Sequence, residues 1–167
     1  MPVFLQPVPL WTIVQPVVDE YQPLARAEGI CLEVELPPDL PEVQVDEELI
    51  GRVFSNLVDN ALKYVPYGGH IQVRASLQSS PEGSFVLCAV ADNGTGISER
   101  AQKVLFQKFR RGDPSPRGLR QGMGIGLHYC RAAVEAHQGR IWVESKKGQG
   151  STFYVTLPVA WGGGDRD

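Results

Sequence analysis

The sequence is poor in cysteine, carries no surplus of positive charge and contains no long apolar run. Cys31, Cys88 and Cys130 are an odd number, lie far apart and sit near Ile, Leu, Val or Ala, so no disulfide framework is readable. They are expected to be reduced core thiols in a cytosolic protein, because a nucleophilic cysteine needs a base and an electropositive pocket. Lys and Arg number 16 against 19 Asp and Glu, a net charge of -3, which removes the basic footprint of a nucleic-acid binder. The longest apolar run, Phe85 to Ala91, is far short of the roughly 18 residues of a membrane span, and the N-terminus lacks the basic region and cleavage site of a signal peptide. Eighteen Gly and 13 Pro, 31 of 167 residues, are too few for a low-complexity chain. A soluble, cytoplasmic single domain with no membrane insertion follows, its core at about 8–160 and its flanks, 1–7 and 161–167, a junction and a tail.

What is present reads as alternating layers. Leu10 to Glu28 has helical spacing, but Pro16 and Pro23 predict a kink or interruption. Ile30 to Leu36 alternates like a strand. Asp46 is placed to cap a helix in which Leu49, Ile50, Val53, Phe54, Leu57, Val58, Ala61 and Leu62 recur at three- and four-residue spacing. Ile71 to Leu77 alternates, Ser79 to Ser84 turns, and Phe85 to Ala91 is apolar throughout, as in a central strand covered on both faces. Gly126 to His137 is a second periodic helix. Ile141 to Lys146 and Thr152 to Leu157 close the chain as a hairpin around Lys147–Gly150. The class is α+β: a two-layer α/β sandwich with a mixed, mostly antiparallel sheet and about three helices on one face.

Polar residues interrupt this pattern at informative places. Asn56, Asn60 and Lys63 fall within roughly 60° of one another at 100° per residue, with Tyr64 beside them, and Asn60 lies inside the apolar arc. A buried amide without partners costs of order 1 to 3 kcal/mol, so this edge suggests a pocket whose ligand supplies them. The plain alternative is that Asn60 ties down a loop and Lys63 is solvated. Directly after the buried strand comes Asp92-Asn93-Gly94-Thr95-Gly96-Ile97, a carboxylate at a strand end followed by glycines that allow close approach. Gly122-Met123-Gly124-Ile125-Gly126-Leu127 then opens a helix, offering free N–H groups to phosphate. Each glycine pattern alone is weak, but the three elements in this order are specific.

In that order they resemble the catalytic, ATP-binding domain of sensor histidine kinases, within the superfamily that also holds gyrase, the heat-shock chaperone ATPases and MutL. Asn56 to Tyr64 looks like the family's N box, Asp92 to Ile97 its first glycine box, Phe106 to Arg111 its F box, Gly122 to Leu127 its second glycine box, and Gly148 to Phe153 also fits. The resemblance covers nearly the whole chain and implies ATP and Mg²⁺ as cofactors, with a flexible lid at roughly 107–121. Position by position it implies Asp92 accepting from the exocyclic amine of adenine, Thr152 assisting through water, and Tyr64 packing on the base. It implies Asn60 on Mg²⁺ with Asn56 beside it, Lys63 and Arg111 neutralising phosphate, and a glycine backbone, Gly94, Gly96, Gly122, Gly124 and Gly126 with Leu127, that lines the nucleotide. Thr95 stands where the family often has proline.

The same resemblance separates the reactions. Hydrolysing and serine-phosphorylating relatives carry a Glu base four residues before the metal asparagine; here that residue is Asn56, which cannot take a proton at neutral pH. The implied reaction is therefore transfer of the γ-phosphoryl to histidine, with an ATPase, a serine kinase and a nucleotide-binding interaction module as the alternatives. His70, His128 and His137 lie on no helix of the dimerisation type. The implied partners are a histidine-bearing dimerisation domain of a parent kinase and a response regulator downstream.

Overall fold

The computed structural model describes residues 1–107 and 123–160. Strand β1 (Gln6–Val8) pairs antiparallel with β3 (Val43–Val45) in a small two-stranded sheet. The main sheet takes the order β2-β4-β5-β7-β6, from β2 (Cys31–Glu35), β4 (His70–Ser80), β5 (Gly83–Asp92), β6 (Ile141–Ser145) and β7 (Ser151–Pro158). Among the described strands only the β2–β4 pair is parallel. Helices α1 (Leu10–Ala27), α2 (Glu47–Tyr64) and α4 (Met123–Ala136) supply the other layer, with a single turn, α3 (Glu99–Gln102), after the first glycine box. The expected α+β sandwich is what the chain forms, with α3, β1 and β3 as additions.

Helix α2 lies at the centre of that layer because its apolar stripe is continuous: Ile50, Val53, Phe54, Leu57 and Val58 are all buried. Burying each such side chain contributes about 1.5 to 3 kcal/mol. As expected, Asp46 caps it, its carboxylate accepting the Leu49 N–H at 3.2 Å; the second carboxylate oxygen accepts from Phe4 N–H at 3.0 Å. His137 completes the anchor: its Nε2 accepts the Asp46 N–H at 2.9 Å, so Nδ1 carries the proton and donates to the Ala133 carbonyl at 2.7 Å. Both ring nitrogens of this buried histidine are occupied with structure.

Four expectations are corrected. Helix α1 runs through Pro16 and Pro23 without interruption. The two prolines are seven residues apart and both exposed, so the carbonyls that lose a donor lie on the wet face, where water replaces it. Cys31 is exposed, not a core thiol, because the outward positions of edge strand β2 are Cys31, Glu33 and Glu35 while Leu32 faces the core. Cys88 and Cys130 are buried as expected, their thiols pushed up to about 12 by desolvation, which leaves them protonated and unreactive. Finally, β5 is central but its outward face is only partly covered: Ala89 is buried while Phe85, Leu87 and Ala91 are half-buried, and none of the described helices packs there. A stacked pair, Trp142 and Tyr154 at 5.2 Å, shades that side, with the Arg140 guanidinium over Trp142. The β4–β5 ladder also extends to Ser80 opposite Gly83, which leaves only Pro81 and Glu82 as the turn.

Candidate functional site

The C-terminal half of α2, the end of β5 and the β6–β7 hairpin converge. Asn60 is 4% exposed and its Oδ1 is buried without a hydrogen-bond partner. An orphaned carboxamide oxygen in a core costs of order 1 to 3 kcal/mol, which a hydrogen-bond donor or a hard cation would recover. One turn earlier, Asn56 donates from Nδ2 to the Gly126 carbonyl at 3.4 Å and also touches the Cys130 thiol, tying α2 to the first turn of α4. Lys63 is paired with Asp59 at 2.9 Å, one turn back on the same helix.

Where α2 ends it meets the Asp92 loop. Gly94 packs so closely on the Tyr64 carbonyl that a Cβ would lie 2.6 Å from that oxygen, a steric reason for glycine at a position whose φ is not positive. Asp92 sits near the Tyr64 side chain, and burial, then the Asp92 charge, pushes the phenol up. The Asp92 carboxyl is itself raised from its ordinary range, chiefly by burial, against which the Gly94 N–H at 2.8 Å and the Ser151 N–H pull it down. A partly desolvated carboxylate held by two backbone donors is stiff, and it gains from a ligand donor.

The register assigns the hydroxyl beside it. Asp92 is the Cα partner of Ser151, whereas Thr152 is opposite Ala91 and so presents its side chain on the other face of the sheet. Thr152, taken from the motif as the adenine-side hydroxyl, is therefore not brought to Asp92; Ser151, which the motif reading passed over, is. Strand phase was the missing signal, for it depends on which residue starts the ladder. Gly96 backs onto the Lys146 carbonyl, and Gly126 and Leu127 lie at the start of α4, Leu127 in the core. Gly124 falls in the first turn of α4. Arg111, Gly122 and all of the expected lid save Gln107 lie outside the described residues.

A helix with an orphaned amide oxygen, a strand-end carboxylate and glycine-lined approaches, set in an α/β sandwich, define a nucleotide-binding ATPase domain. The chain belongs to the histidine kinase-, DNA gyrase B- and HSP90-like ATPase family, whose pattern matches residues 45–160. Among individual relatives it is similar to the adaptive-response sensory kinase SasA of Synechococcus sp. (strain JA-3-3Ab), 42% identical over 150 residues that are 90% of this chain and 38% of that protein. SasA of Synechocystis sp. (strain ATCC 27184 / PCC 6803 / Kazusa) is 37% identical over 157 residues, 92% of this chain and 39% of its own. The chain thus spans under two-fifths of these relatives. Its fold superposes on full-length ShkA solved with AMPPNP (TM-score 0.81, 26% identity, covering 97% of this chain and 32% of that one). It also superposes on the nucleotide-free catalytic domain of the histidine kinase ThkA (TM-score 0.76, 25% identity, 95% and 97%). Among the described residues no helix is long and apolar enough to cross a membrane.

Proposed function

We propose that this chain binds Mg²⁺-ATP and donates the γ-phosphoryl to a histidine on a separate helical dimerisation domain, which then passes it to a response regulator. The observation that carries the nucleotide half is the unpartnered, buried Asn60 Oδ1 on the helix that packs against the Asp92 loop. In this reading Asp92 accepts from the adenine amine, which a guanine carbonyl cannot supply, Ser151 offers the hydroxyl beside it, and Tyr64 packs on the base. Asn60 fits a magnesium ion through a neutral oxygen. Among the described residues no group of three His, Cys, Asp or Glu surrounds it, so phosphate oxygens and water would complete the shell. The ion, when bound, neutralises phosphate charge. Lys63 and Arg111 add positive charge; Lys63 must first exchange Asp59 for phosphate, a surface ion pair of about 0.3 to 0.5 kcal/mol.

Asn56 supports histidine as the acceptor. Its amide is no base, and it already holds the Gly126 carbonyl, so Asn56 cannot take a proton from water near the γ-phosphate. A neutral imidazole attacks without one. His137 cannot serve, since both of its nitrogens are engaged. The test is to supply the chain with the dimerisation hairpin of its own parent and radiolabelled ATP. An acid-labile, base-stable phosphoprotein is expected, with hydrolysis by the chain alone slower by about 10² to 10⁴ than in base-bearing relatives. An acid-stable phosphoserine, or rapid turnover without a partner, contradicts it.

A further inference from the structure

Ser145, at the end of β6, sits behind the Asp92 loop with its hydroxyl fully used. Its Oγ accepts the Ile97 N–H at 2.7 Å and lies 2.8 Å from both the Gly150 carbonyl and the Ser151 hydroxyl. A serine hydroxyl has one proton and two lone pairs. With the proton given to the Gly150 carbonyl, the lone pairs take Ile97 N–H and Ser151 O–H, and the buried Ser151, cross-strand partner of Asp92, keeps its own lone pairs available to a ligand. Gln102, from α3, reinforces the same junction: its Nε2 donates to the Ile97 carbonyl at 2.6 Å and to the Ser145 carbonyl at 3.1 Å. The Gly148 N–H reaches back to the Thr95 carbonyl at 2.6 Å. The second half of the Asp92 loop is thereby fastened to the β6–β7 hairpin.

We propose that Ser145, backed by Gln102, is a positioning residue for recognition of the base: it fixes the loop after Asp92 and orients the Ser151 hydroxyl, and so sets the acceptor pair that distinguishes adenine. The proposal rests on the nucleotide reading above and adds to it residues that would touch no ligand. Removing the hydroxyl leaves the Ile97 N–H, the Gly150 carbonyl and the Ser151 hydroxyl to find other partners, and the loop loses its fixed distance from the hairpin. The consequence falls on the exocyclic amine, which needs a directed acceptor, and much less on phosphate contacts made from α2 and α4.

The experiment measures Kd of the 167-residue chain for ATP and for purine riboside triphosphate, which lacks the amine. The wild-type chain should prefer ATP by about ten- to hundredfold, the worth of one charge-assisted hydrogen bond. In Ser145→Ala the ratio should fall below about threefold through weaker ATP binding, with the amine-free nucleotide moving less than about twofold. Loss of folded protein would weaken both nucleotides alike, so the ratio reads positioning alone. Gln102→Ala, a change at a half-buried position, should lower the ratio by about threefold and stands in if Ser145→Ala does not fold. An unchanged ratio in the variant that folds overturns the positioning role while the base reading survives. Equal affinities in the wild-type chain overturn the base reading and the positioning role with it.

Discussion

Between the end of β5 and the β6–β7 hairpin, the loop from Asp92 to Ile97 is bound on both sides. Its carboxylate takes two backbone N–H groups, its glycines rest against carbonyls of Tyr64 and Lys146, and Ser145 and Gln102 close it off. Along the facing half of α2, by contrast, Asn60 has a buried oxygen with no partner, and Lys63 is held by a single half-exposed carboxylate. The first region is rigid before any ligand arrives; the second is incomplete without one. In the proposed function the preorganised region would choose the base and the helix's unmet polar groups would be left for the phosphates and their ion, so that specificity and affinity would draw on different parts of the chain.

Substitutions should separate the two regions. The largest effect is expected at Gly150, which has φ of +89° and whose added Cβ would run into the Asp92 carbonyl. Gly150→Ala should cost about 2 to 4 kcal/mol and lower Tm by roughly 5 to 15 °C in thermal unfolding. A shift under 2 °C would show the rigid wall to be pliable. On the helix side, Asp46→Ala removes the α2 cap and the Phe4 tie, for about 1 to 2 kcal/mol.

These two carboxylates should also respond to pH with opposite sign. Asp46 is lowered from its ordinary 3.8, first by the Phe4 N–H, so its contribution is complete above 3.8 and is lost as pH falls through the folded value. Asp92 is raised above 3.8 by burial, so its charge costs stability above the folded value, and that cost fades as pH falls through it. Denaturant titrations from pH 7 to pH 3 should show the gap between wild type and Asp46→Ala closing on acidification. Over the same range, wild type should gain on Asp92→Asn. A parallel course for both pairs would contradict the assigned environments. This is the smallest of the expected effects.

The sequence made legible whatever repeats locally. The α2 stripe, its Asp46 cap, both hairpins and the Asp92 strand end could be read because spacing and side-chain chemistry agree within one element. What could not be read is set by a partner distant in the chain. Strands β1 and β3 are three residues each and exist only because Gln6 pairs with Val45. The prolines of α1 are harmless because both fall on its wet side, and Cys31 is exposed because β2 is an edge. In the candidate site, the placing of Asn60, Tyr64 and Asp92 near one another was legible from type and position, while the exchange of Thr152 for Ser151 required the β5–β7 register. Ser145 and Gln102 carry no motif at all; only their hydrogen bonds across more than 40 residues reveal them.

The division of labour is tested most directly by calorimetric titration of ATP into the wild-type chain, Asp92→Asn and Asn60→Ala, each with Mg²⁺ and with a chelator. Asp92→Asn should lose about ten- to hundredfold in affinity in both conditions, because the amine contact needs no ion. Asn60→Ala should lose affinity with Mg²⁺ and match wild type in the chelator. Equal losses for Asn60→Ala in both conditions, or unchanged ATP affinity in Asp92→Asn, would contradict the account.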